Sequence, residues 1–144
     1  MGLARIAHYS IRTLDLAATE RFYTEALGFR VGFRPPFDFP GLWLYNGDDE
    51  SDYGIVHVIG VDPDNPEGLK QYLGDKDATS LSGGGAIDHI AFQATGWIAL
   101  HGRLGRMGIP HRERSVPSLG LFQVFIEDPS GVTIELNYPA DEPV

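Results

Sequence analysis

Residues 6–13 read IAHYSIRT and residues 87–92 read IDHIAF, and the recurrence of Ile-x-His in these two stretches indicates a fold built from a repeated unit. The two histidines, His8 and His89, are 81 positions apart (89 − 8). The helical pattern that follows each stretch ends at a glycine. A half-chain repeat of this kind predicts two similar supersecondary units that pack as a pair, because neither unit buries its apolar face alone.

Both halves show the same order of predicted elements, which is a strand, a helix and three more strands. In the first half, Thr13 or Asp15 offers the N-cap of a helix that Gly28 ends. The predicted elements of this half are a strand at 6–13, a helix at 16–27 and strands at 29–33, 42–45 and 53–59. Those of the second half are a strand at 86–94, a helix at 96–107 and strands at 111–115, 120–126 and 132–138, the last of them after an Asp-Pro-Ser-Gly turn at 128–131.

The segment 61–85 is rich in Gly, Pro, Asp and Ser, which predicts a linker or a surface loop. We therefore expect one domain over residues 1–144, with a first βαβββ module at 1–60 and a second at 86–138. The predicted fold class is α+β. The two modules are expected to place their sheets side by side as an incomplete mixed β-barrel with the helices outside.

The composition limits the classes of function that the chain can serve. No segment approaches the roughly 20 apolar residues that span a bilayer, and the N-terminus lacks the apolar stretch of a signal peptide, so we expect a cytoplasmic protein without membrane contact. The net charge of −9, with no dense basic run, argues against nucleic acid as a partner. Because the chain has no cysteine, any metal must be bound through nitrogen and oxygen.

Strand alternation places several metal-ligand side chains on polar faces. His8 shares a face with Arg12, and Glu135 shares a face with Thr133 and Asn137, behind a stripe of apolar residues. A helix is expected to cover each apolar face, so the polar faces should line a cleft.

Four stretches of the chain, IAHYSIRT, RFYTEALGFRV, IDHIAF and FIEDPSGVTIELNY, resemble the vicinal oxygen chelate superfamily. This superfamily includes glyoxalase I, extradiol dioxygenases, methylmalonyl-CoA epimerase and the fosfomycin-resistance and bleomycin-binding proteins. The resemblance implies one divalent ion, of Fe, Ni, Zn, Co or Mn. It implies ligands from the first and last strands of each module, which here are His8 and His57, then His89 and Glu135.

The ligand at the fourth position separates the activities that the resemblance implies. Glyoxalase I usually carries Glu there and methylmalonyl-CoA epimerase Gln, whereas this chain has His57. If His57 binds, two coordination positions stay open, which favours a glyoxalase-like lyase or isomerase with Glu135 as the proton-transferring base. If it does not, an iron-dependent extradiol dioxygenase is favoured. A metal-free binding protein of the bleomycin-resistance kind is the alternative from another class.

Two cations are expected to meet a carboxylate or phosphate of a small-molecule substrate, Arg12 from the face of His8 and Arg34 from the loop RPPFDFPG. His101, in a predicted helix, and His111, just past it, are expected to be surface residues. Relatives of this size commonly form homodimers, so we expect a homodimer here.

Overall fold

The computed structural model describes residues 2–3, 5–50, 54–74 and 82–142. The chain divides into two compact units, Met1–Leu81 and Ser82–Val144. The division falls inside the predicted linker at 61–85. We describe each unit by itself.

The first unit contains the predicted βαβββ order. A helix begins after Asp15, whose carboxylate accepts a hydrogen bond of 2.9 Å from the amide of Ala18, and the chain leaves it at Gly28 with φ of 81°. The last helical turn is π-type, since the amide of Leu27 donates to the carbonyl of Phe22. The elements are β1 Tyr9–Thr13, α1 Leu16–Arg21, the π-helical turn Phe22–Ala26, β2 Arg30–Gly32, β3 Gly41–Tyr45, β4 Val56–Gly60 and α2 Glu67–Leu73.

The four strands of this unit form a mixed sheet in the order β1-β4-β3-β2, in which β1 runs parallel to β4 and the other pairs are antiparallel. Helix α1 packs against one face of this sheet, where the Thr19 hydroxyl of α1 donates a hydrogen bond of 3.0 Å to the Thr13 hydroxyl of β1. Val56 and Val58 belong to the same buried face, with 0% and 1% exposure. The alternate residues of β1 and β4, Ser10 and His57 among them, therefore project from the face opposite α1.

The loop expected at 61–85 contains a helix, α2, that the sequence analysis did not predict. Its Leu69 is buried with Phe39 and Ile59 in a small apolar cluster. Residues 75–81 of this segment lie outside the described residues, as does Tyr53, where the predicted strand 53–59 was expected to begin. The described part of that strand starts at Val56.

The second unit repeats the order of the first. Its elements are β5 Ile90–Gln93, α3 Trp97–Met107, β6 Arg112–Val116, a 3-10 turn at Pro117–Leu119, β7 Leu121–Glu127 and β8 Thr133–Pro139. Helix α3 ends at Gly108, which has φ of 65°. The predicted turn before β8 is present: the Asp128 carboxylate accepts hydrogen bonds from the amides of Ser130 and Val132, at 2.9 and 2.8 Å.

The sheet of this unit has the order β5-β8-β7-β6, with β5 parallel to β8 and the other pairs antiparallel, as in the first unit. Ile134 and Leu136 are 0% and 6% exposed, as predicted. On their face of the sheet, the Trp97 ring of α3 contacts Phe122 and Tyr138, at centroid distances of 5.1 and 5.8 Å. The predicted α+β class, with a repeated strand-helix-strand-strand-strand order, is confirmed. No helix in the described ranges is long and apolar enough to cross a membrane.

Candidate metal-binding residues

In the first unit, two of the predicted ligands form a stack of aromatic rings with Trp43. The rings of His8 and His57 have centroids 3.7 Å apart and planes inclined by 17°. On the other side of His57, the Trp43 ring lies 4.0 Å away at 6°. His57 is 6% exposed because β4 is central in its sheet, where His57 pairs in register with Ser10 and Trp43. His8 precedes β1 and is exposed.

This stack constrains how the two imidazoles can bind an ion. The lone pair of a ring nitrogen lies in the plane of the ring, so an ion midway between two nearly parallel rings 3.7 Å apart is far out of both planes. For both rings to bind one ion, at least one must turn. His8 is the exposed member, whereas His57 is held between two rings. We therefore expect His8 to be the ring that turns.

In the second unit, the other two predicted ligands face each other. His89 Nε2 lies 3.7 Å from Glu135 Oε1. Two ligands of one ion at bond lengths of about 2.0–2.2 Å are about 3.0–3.5 Å apart, so a small approach brings both atoms onto a shared ion. His89 Nδ1 is hydrogen-bonded to Asp88 at 2.8 Å. This hydrogen bond, together with the charge of Glu135, raises the pKa of His89 above its ordinary value, although desolvation opposes the shift.

A chain of amide hydrogen bonds fixes the Glu135 carboxylate on β8. Asn137 Nδ2 donates to Glu135 Oε2 at 3.0 Å, and Gln123 Nε2 on β7 donates to Asn137 Oδ1 at 2.9 Å. The other carboxylate oxygen of Glu135, Oε1, points toward His89. Asn137 was expected on the face of Glu135. Gln123 was not predicted, because its only signal is its place opposite Asn137 across two predicted strands. Gln123 Oε1 is buried and bonds no described residue.

The two predicted substrate cations have different surroundings. Arg12 on β1 is partly buried and pairs in register with Ile59, on the face of His57. Arg34 braces its own loop: one guanidinium nitrogen donates to the carbonyl of Phe39 at 2.8 Å, and the group lies 5.0 Å from the ring centres of Phe37 and Phe39. Burial lowers the pKa of Arg34, against the opposing charge effect of Tyr72.

A second group of possible ligands lies elsewhere in this unit. The ligand atoms of His101 on α3, of His111 and of Glu113 on β6 all lie within 4.8 Å of one another. His101 is exposed as expected, whereas His111 is partly buried. Both histidines were expected to be surface residues, without a connection to Glu113. The alternation that places His111 and Glu113 on one side of a strand was the available signal.

The family model for the Glyoxalase/Bleomycin resistance protein/Dioxygenase superfamily matches residues 5–136. The chain belongs to this superfamily, and the resemblance found in the sequence is confirmed. No curated protein matches the chain.

Several solved structures share this fold at low sequence identity. Lactoylglutathione lyase from Agrobacterium tumefaciens is 18% identical, with 96% of each chain covered and a TM-score of 0.61. The trypanothione-dependent glyoxalase I of Leishmania major is 23% identical, with 96% of this chain and 88% of that chain covered and a TM-score of 0.65. TnmS3, an antibiotic binding protein from Streptomyces sp. CB03234, is 21% identical, with 96% and 98% covered and a TM-score of 0.59. The similar structures thus include both enzymes and a binding protein.

Proposed function

We propose that this chain is a divalent-metal-dependent enzyme of glyoxalase-like lyase or isomerase type, acting on a small substrate with neighbouring oxygens. The proposed ligands are His8, His57, His89 and Glu135. The observation that carries the proposal is the orientation of His89. Its Nδ1 is hydrogen-bonded to the Asp88 carboxylate while its Nε2 faces Glu135. Metal-binding histidines characteristically use one nitrogen for the ion and donate the other N–H to a carboxylate or carbonyl.

The donor set fits a transition-metal ion. Imidazole nitrogens with one carboxylate suit Zn, Fe, Ni, Co or Mn, whereas Mg and Ca prefer ligand sets made only of oxygen. When bound, such an ion would stabilise the negative charge that develops on a substrate oxygen. The proposal requires that both pairs of ligands bind the same ion, with the two pairs drawn from one chain or from two chains of a dimer.

Glu135 is the proposed proton-transferring residue. Asn137 holds its Oε2 at 3.0 Å, so Oε1 is the oxygen available to a ligand or to a substrate proton. Because Gln123 in turn fixes Asn137, we assign both amides the role of positioning the carboxylate. For Arg12 and Arg34 we propose contact with an anionic group of the substrate.

The test compares metal content and turnover of Glu135→Gln with the same change at Glu67, a carboxylate on α2 whose side chain is 76% exposed. Protein is purified without chelator, its metal is measured, and turnover is screened with defined metals on thiol adducts of 2-oxoaldehydes and on catechols. We expect Glu135→Gln to lose metal and activity while thermal stability changes little, since the side-chain volume is nearly kept. Full metal occupancy in Glu135→Gln, and in His8→Ala and His89→Ala as well, would reject the metalloenzyme.

A specific observation favours a second candidate, the extradiol dioxygenase. His57 is held in a stack between His8 and Trp43 and is 6% exposed, which suits a ring that packs rather than binds an ion. His8, His89 and Glu135 would then form a set of two histidines and one carboxylate with three open positions. The variant His57→Phe keeps an aromatic ring in the stack and removes both nitrogens. Unchanged metal affinity in His57→Phe supports the dioxygenase, whereas a loss supports four ligands and the lyase or isomerase.

A further inference from the structure

We propose that His101, His111 and Glu113 form a second cation site, separate from the ligands named above, that binds Zn²⁺ or a similar borderline transition-metal ion. Two imidazoles and a carboxylate give two nitrogen donors and one oxygen donor. All three ligand atoms lie within 4.8 Å of one another. A set rich in imidazole favours Zn, Ni or Cu over Mg and Ca.

The local fold brings these three side chains together. His101 lies one helical turn after Trp97 on α3, and the two rings have centroids 5.1 Å apart. Gly108 ends α3 in the left-handed conformation and turns the chain toward β6. His111 and Glu113 flank one residue of that strand, so their side chains project to the same side. Because the connection between helix and strand is short, little chain entropy is lost when the three ligands meet.

The distances leave room for an ion after small movements. His111 Nε2 and Glu113 Oε2 are now 2.8 Å apart and share a hydrogen bond. Tetrahedral Zn²⁺ with bonds of about 2.0–2.1 Å separates its ligand atoms by about 3.4 Å. To bind an ion, His111 Nε2 and Glu113 Oε2 must therefore move slightly apart. Ligand atoms of the group that are farther apart than about 3.4 Å must approach each other. Both His101 and Glu113 are exposed enough for their side chains to rotate.

An aromatic wall beside the site limits the orientations of the two imidazoles. The Trp97 ring lies 5.7 Å from the His111 ring, edge to face, and the His101 and His111 rings are 5.6 Å apart at 88°. Three protein ligands leave the fourth tetrahedral position to water or to a small anion. A bound ion would join α3 to β6, so its binding should also raise the midpoint of thermal unfolding.

Trp97 provides a readout that is specific to this site. The chain has two tryptophans, and Trp43→Phe leaves Trp97 as the only one while keeping a ring against His57. In this background we expect added Ni²⁺ to quench the fluorescence of Trp97 saturably, and Zn²⁺ to reverse the quenching by competition. His101→Ala should weaken Ni²⁺ binding more than about 100-fold. Loss of an outer-shell partner alone costs up to about 100-fold in affinity, and His101 is proposed to bind the ion directly.

Matched variants separate this site from the proposed enzyme site. Glu113→Gln should weaken the quenching, whereas Glu67→Gln, which changes a carboxylate with a side chain 76% exposed in the first unit, should not. The double variant His89→Ala, Glu135→Gln should keep the quenching by Ni²⁺ even if activity is lost. Three results would overturn the proposal. The first is that Ni²⁺ does not quench Trp97, and the second is that quenching persists in both His101→Ala and Glu113→Gln with circular dichroism unchanged. The third is that quenching disappears in the His89/Glu135 double variant.

Discussion

At the residue scale, the hydrogen bond between Asp88 and His89 Nδ1 is the contact that most directly supports the proposed metal site. In a His101→Ala background, which removes the second proposed cation site, we predict that Asp88→Asn lowers the metal affinity of the chain about 10-fold, at the low end of the range for outer-shell partners because the Asp88 side chain is 94% exposed. The affinity is measured by competition with a chromophoric chelator at pH 8, above the ordinary imidazole pKa of about 6.5. Asp48→Asn, at another exposed aspartate, is the control. If the two variants bind the metal with equal affinity, the hydrogen bond with Asp88 does not orient His89 for metal binding.

A second residue-scale prediction concerns Tyr138, because burial, assisted by the charge of Glu142, raises its pKa to about 12. An exposed tyrosine in the unfolded chain ionises near pH 10. The unfolded state therefore loses its proton first, and the free energy of unfolding should fall as the pH rises from about 10 to about 12.

The variant Tyr138→Phe keeps the ring against Trp97 and removes the ionisable hydroxyl, so its free energy of unfolding should fall less steeply over this pH range. Denaturant unfolding at several pH values measures the slope. Tyr72→Phe, at a residue that is 54% exposed, is the control and should retain the full slope. Some slope should remain in Tyr138→Phe, since burial also raises the pKa of Tyr45.

At the scale of elements, the N-cap of α1 is a sequence prediction with a measurable energy. Asp15 accepts a 2.9 Å hydrogen bond from the amide of Ala18. Replacing an N-cap aspartate by alanine costs about 1 kcal/mol of stability. We therefore expect Asp15→Ala to lower the free energy of unfolding by about this amount, and Asp48→Ala to have little effect. An unchanged free energy in Asp15→Ala would mean that α1 is fixed by its packing alone.

The elements also show which features a sequence can predict. The repeated strand-helix order was predictable because strand alternation and the glycines that end the helices agree in both halves. Helix α2 was missed since it lies among Gly, Pro and Asp and buries Leu69 against a cluster that forms only in the fold. Gln123 was missed for a related reason, because its partner Asn137 is set by strand register rather than by sequence spacing. Proximity between side chains of a helix and a strand, such as that of His101 and Glu113, carries no periodic signal, because the two elements have different periods.

At the scale of the molecule, two units with one topology explain why the predicted ligands come in pairs. Each unit has a histidine directly before its first strand, and this first strand lies parallel to the last strand of its own unit. The first unit thus brings His8 to His57, and the second brings His89 to Glu135. The two pairs differ in character, since His8 and His57 form a stack of rings, whereas the His89 imidazole faces the Glu135 carboxylate. The repeat therefore fixes where the candidate ligands lie, while individual residues fix the chemistry.

The assembly state is the last prediction, and it depends on apolar residues at matching positions of the repeat. Ile6 and Ile87 each lie two residues before a predicted ligand and are 87% and 62% exposed. Large aliphatic side chains that remain in water favour association, since burial gains roughly 25 cal/mol per Å². We expect light scattering to give a homodimer, twice the 15.8 kDa of one chain.

The variant Ile6→Glu tests whether this residue belongs to the dimer interface. It places a charge where the interface would bury an aliphatic group, so the dimer should dissociate at concentrations where the parent chain remains paired. Ile98→Glu, on α3 at a residue that is 55% exposed, is the matched control and should leave the mass unchanged. If the parent chain is a monomer at high concentration, the homodimer is wrong. If only Ile98→Glu dissociates the dimer, the interface lies on α3 instead.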